Sequence, residues 1–71
     1  MNPIEKMFVL CRELRAAGFE LLAQRIILAA DAFEAALHTS VPEAWTAGQE
    51  LFEAEMAAGA AILKRDRSVR A

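Results

Sequence analysis

The chain holds few of the groups that cross-link small proteins. Its 71 residues include one cysteine, Cys11, and one histidine, His38. A single thiol excludes an internal disulfide, and one Cys with one His falls short of the four N/S ligands of a structural zinc site. No glycine-rich phosphate loop is present. A nucleophile–base pair is missing too, because the one histidine lies at a predicted helix end and the carboxylates are spread along solvated faces. These shortages point to a non-enzymatic protein with no metal and no cofactor. No uncharged run approaches the roughly 18 residues that span a bilayer. The opening Met1–Lys6 lacks the basic start and apolar stretch of a signal peptide. The expectation is a cytoplasmic protein without a membrane partner, and the lone thiol suits a reducing compartment. Ten carboxylates against eight cations leave a net charge of −2, which argues against a dedicated nucleic-acid binder.

What is present is helix-forming sequence. The composition is 56% hydrophobic and 25% charged, and Ala, Leu, Glu and Arg dominate. Asn2-Pro3-Ile4-Glu5 offers a cap residue, a proline in the first turn and a carboxylate three residues after the cap. Ser40-Val41-Pro42-Glu43 repeats the design. These signals predict helix one over about 3–38 and helix two over about 41–66, with a short basic tail at 67–71. At 1.5 Å per residue the two would measure roughly 50 Å and 36 Å. So few residues separate them that the fold class read from the sequence is all-α, a single antiparallel two-helix hairpin domain spanning 1–71. Gly18 admits two readings. It could stop a helix after Leu14-Arg15-Ala16-Ala17. Yet Phe19-Glu20-Leu21 supplies no Ser, Thr, Asp or Asn to start another, and the apolar stripe keeps its phase, so a continuous, bent helix one is favoured.

Helical spacing puts Ile4, Phe8, Cys11, Leu22, Ala29 and Phe33 on one side of helix one, widened by Met7, Leu14, Leu21 and Leu28. That arc is wider than one partner helix needs. Helix two carries a main stripe at Trp45, Phe52, Met56, Gly59 and Leu63. A second stripe at Leu51, Ala58 and Ile62 lies well to one side and calls for a packing partner outside the hairpin. Helix two is also too short to cover helix one, running out opposite roughly Leu14. Ile4, Met7, Phe8, Cys11 and Leu14 would then form a homodimer interface, because leaving them wet costs about 1.5–3 kcal/mol per large side chain. A chain this short needs such reinforcement. Two-fold pairing would give a four-helix assembly.

Five residues are candidates for contacting a partner. Trp45, the one tryptophan, is either a core plug near Phe33 and Leu37 or a partly exposed anchor beside the loop. Arg25 sits inside the apolar arc and Arg15 at its margin. Each either snorkels or pairs with Glu50, Glu53, Glu55 or an acidic group on a partner. Ile27 points away from the main stripe, with Phe19, Ala23 and Ala30 nearby, and would form a small external apolar patch. Cys11 reads as a small buried hydrophobe and His38 as a favourable helix end. The tail from Lys64 to Arg70 reads as a solvated helix end or as a contact for RNA or an acidic partner.

A long helix through Ala29-Ala30-Asp31-Ala32-Phe33, a tight Thr39-Ser40-Val41-Pro42 turn and a Trp-bearing second helix resemble the layout of phage-encoded quorum-sensing anti-activators. That resemblance implies a dimeric hairpin that inhibits a LuxR-type transcription regulator of the bacterial host, and a pilus-assembly ATPase as a further partner. The same layout resembles type III secretion co-chaperones, hairpins that pair with another chaperone. A small RNA-binding hairpin would need a basic face, which neither helix shows.

Overall fold

The structure is a computed structural model that describes residues 2–70. It is all-α, with three helices: α1 over Pro3–Ala16, α2 over Glu20–Leu37 and α3 over Pro42–Arg70. The start of α1 is the one expected. Asn2 Oδ1 accepts the backbone N–H of Glu5 at 2.9 Å, and the Asn2 amide donates to the Glu5 carboxylate at 3.3 Å, which satisfies groups that the first turn leaves unpaired.

The expected continuous first helix is two helices. Gly18 has φ +92°, a left-handed conformation that L side chains rarely adopt. Around it Phe19 N–H donates to Leu14 O at 2.8 Å and Gly18 N–H to Arg15 O at 3.0 Å. This paired pattern closes a helix C-terminus at glycine. A helix can start here without a side-chain cap. Phe19 stands at the N-cap of α2 without a side-chain cap bond. The solvated Glu20 carboxylate complements the dipole of that first turn instead.

The break lets α1 fold back along α2, and α2 folds back along α3. Arg25 stands opposite Glu55 at 3.0 Å. Cys11 Sγ reaches Ala23 O at 3.6 Å, and Glu13 meets Arg67 at 3.0 Å. The result is a three-helix, up-down-up arrangement with α1 and α3 parallel, replacing the two-helix hairpin. Met7, Cys11, Leu14, Ala23, Ile26, Phe52 and Leu63 form its core. All three helices close in on Gly59. A Cβ there would lie 2.9 Å from Ile26 Cδ1, 3.2 Å from Leu14 Cδ1 and 3.5 Å from Leu10 Cδ2, so the absent side chain is what permits this approach.

The second turn is held by Thr39 and Trp45. The Thr39 hydroxyl donates to Ala36 O at 2.8 Å, and the Trp45 indole N–H donates to Thr39 O at 3.0 Å. Helix α3 continues to Arg70, past the expected end near residue 66. Arg67–Glu13 and an i,i+4 pair, Arg70–Asp66 at 3.2 Å, lie along its last turns. The tail expected at 67–71 is therefore helical as far as the described residues reach. No helix in the described residues is long and apolar enough to cross a membrane.

Candidate functional site

Between the N-terminal end of α1 and the helices α2 and α3 lies an open, largely apolar cleft of about 410 Å³. Ile4 and Phe8 wall it on the α1 side and Leu37 on the α2 side, while Met7, Phe33 and Phe52 form its floor. Phe33 and Phe52 stack with ring centroids 6.2 Å apart and planes 29° apart, so the floor is a rigid aromatic surface. Ile4 is 54% exposed and Phe8 61% exposed, which leaves apolar area wet that a bound side chain would cover.

Two carboxylates, Asp31 and Glu34, complete the rim. Neither has an ion-pair partner within 4.0 Å among the described residues, and the same holds for Glu5, Glu43, Glu50 and Glu53, so this end of the molecule is acidic as a whole. Oil with an acidic edge favours a ligand with apolar side chains and a cationic flank. No group of three or more His, Cys, Asp or Glu is placed to hold a metal ion among the described residues.

The structure divides the residues expected to form a dimer contact. Met7, Cys11 and Leu14 are buried in this chain's own core. The reason for assigning them to a partner copy disappears with the long helix that left them uncovered. Ile4 and Phe8 remain exposed and belong to the cleft. Burial pushes the Cys11 thiol pKa up, against a smaller opposing pull from Arg15, so the thiol is poorly suited to nucleophilic chemistry.

The five partner-contact candidates are also spread apart. Phe19 and Ile27 are partly buried against the core: the external patch they were expected to form is the surface that α1 covers. Arg15 pairs with Glu20 at 3.3 Å across the Gly18 turn, not across a hairpin. Arg25 pairs with Glu55, one of the carboxylates named for it. Trp45 is 38% exposed and fastens the second turn. Asp31, Glu34 and Leu37 were missed as a rim. Their signal is the pair of acids flanking Phe33, but nothing in the sequence brings Phe8 beside them until Gly18 reverses the chain.

No family model, curated protein or solved structure matches this chain. The layout that carried the resemblance to anti-activators and co-chaperones included a continuous first helix. Residues 3–37 instead form two helices.

Proposed function

We propose that this chain is a non-catalytic protein-binding adaptor, and that the acid-rimmed cleft is where it takes its partner. The observation that carries the reading is the combination at one end of the molecule: wet Ile4, Phe8 and Leu37 over a Phe33–Phe52 floor, edged by unpaired Asp31 and Glu34. Exposed apolar side chains gathered around a concavity mark interaction sites far more than scattered ones do. A volume of about 410 Å³ accommodates two or three large side chains. The fitting ligand is one face of an amphipathic helix, with apolar residues a turn apart and Lys or Arg beside them. Binding of this kind would inhibit a regulator by occupying one of its helices, with no chemistry by the adaptor.

A pair of labelled helical peptides of about 18 residues tests it. Both carry the same leucine stripe, flanked by lysines in one and by glutamates in the other. Fluorescence anisotropy should show the lysine version binding at least about tenfold more tightly, since like charges across an interface are strongly unfavourable. Phe8→Asp should abolish binding, and Asp31→Lys with Glu34→Lys should reverse the preference. Equal binding of both peptides, or binding indifferent to Phe8→Asp, refutes the cleft as the site.

A further inference from the structure

A second surface lies on the other side of α2. Leu21 is 75% exposed, Leu28 59% and Leu51 46%. Leu28 and Leu51 border one shallow groove between α2 and α3, with Ala29 and the Arg25–Glu55 pair. Along α3 the same outward direction carries Ala58, which is exposed, and Ile62, which is half-buried. These are the positions that helical spacing separates from the main stripe.

From this face we infer that its occupant is a second copy of the chain, docked antiparallel about a two-fold axis lying across α2 and α3 near Arg25 and Glu55. This inference goes beyond the cleft reading and uses none of its residues.

Two independent observations select this occupant. The first is the symmetry of the face. Met56 stands at the midpoint of α3, Pro42–Arg70, with Arg25–Glu55 close by. Leu21 and Leu28 lie about 5 Å on either side of this midpoint along α2, and Leu51 and Ile62 about 8 Å on either side along α3. A two-fold there sets Leu21 against Leu28 of the other copy and Leu51 against Ile62 of the other copy. The patch is thus self-complementary, as a two-fold interface must be.

The second observation is charge. Residues 2–9 and 28–55, which form the end near the second turn, hold seven carboxylates and one cation. Residues 10–27 and 56–70, at the Gly18 end, hold seven cations and three carboxylates. The net −2 of the chain is therefore −6 at one end and +4 at the other. Antiparallel docking lays each acidic end along a basic end, whereas parallel docking sets like charges together.

In the resulting four-helix layer α1 stays outside. The two clefts face outward at opposite ends, and the dimer is a bivalent binder.

Sedimentation equilibrium of the full chain at micromolar concentration should give twice 7.8 kDa. Leu21→Glu with Leu28→Glu should weaken association about 30-fold or more, as loss of a central contact does. The helical circular dichroism should be retained, because both side chains are exposed. Phe8→Asp, which empties the cleft, should leave the dimer intact, so failure of the dimer and failure of the cleft give different results. Orientation is read separately by oxidising an equimolar mixture of Leu21→Cys and Leu28→Cys chains. The mixed disulfide should dominate, with Cys11 buried and silent. A monomeric wild type, a dimer that survives the double glutamate variant, or cross-linking of Leu21→Cys to itself in preference to the mixture overturns the inference.

Discussion

The two ends of the molecule are built differently. Toward the Gly18 end three helices close on Gly59, and the groove left over the α1–α3 seam, beside Leu10, Leu63, Glu13 and Arg67, is shallow and edged by charge. Gly59 admits Leu10, Leu14 and Ile26 to within van der Waals contact of where its side chain would be, Leu14 is fully buried, and Glu13–Arg67 lies over the α1–α3 seam. At the other end a more apolar cleft lies beside α1, Phe8 is wet, and neither carboxylate on the cleft rim has an ion-pair partner among the described residues. Substitutions at the tight end should therefore act on folding, and those at the open end on binding.

The sharpest way to break this comparison is Leu14→Ala. It removes a fully buried side chain where all three helices meet, and should cost about 2–5 kcal/mol in urea unfolding followed by circular dichroism. A loss below 1 kcal/mol would mean that the tight end is not where stability resides. Gly59→Val forces a branched side chain into the same crossing and should cost about 1–3 kcal/mol. The melting temperature should fall by several degrees, and a neutral result would show that the helices can move apart freely. Gly18→Ala tests the turn between them. No atom lies within 4 Å of the added methyl, so the whole effect comes from the left-handed backbone and should be about 1–2 kcal/mol. Phe8→Ser, at the open end, should change stability by no more than about 0.5 kcal/mol, as for other exposed positions, while greatly reducing binding of the lysine-flanked peptide. A large loss of stability there would erase the distinction between the ends.

Cys11 gives a finer probe of the tight region. With its pKa raised by burial, the folded thiol stays protonated at alkaline pH where the unfolded one ionises. Stability that is intact at neutral pH should therefore fall as pH rises through and above the unfolded pKa. A thiol-reactive dye should label Cys11 slowly in buffer and rapidly in urea. Equal rates would show that the crossing opens readily.

Much of the fold could be read locally. Helix starts at Asn2-Pro3 and near Pro42, a tight turn at 38–41 and core positions at Cys11, Phe52, Gly59 and Leu63 all follow from neighbours in sequence. Gly18, with its left-handed backbone, is the residue at which local reasoning fails, and the consequences run outward from it. With helix one continuous, Phe19, Ala23, Ile27 and Ala30 looked like an external patch, and Met7, Cys11 and Leu14 looked uncovered. These are two halves of one contact. Each set was recognised as apolar and unsatisfied, and the chain reversal that joins them was not. The stripe at Leu51, Ala58 and Ile62 was separated correctly from the core stripe, because a position 100° away on a helix is a local property.

The sequence by itself determined that the chain is helical, where two of its helices begin, and which side chains are too apolar to be left in water. These depend on capping, propensity and periodicity, which act over a few residues. Only the tertiary structure decided which apolar surfaces meet. That choice turns on the left-handed backbone at Gly18, and a glycine can lie within a helix, at some cost, or end one. Its conformation is selected by the burial gained when α1 lies back on α2 and α3. So the core, the cleft and the exposed face opposite it are properties of the folded chain.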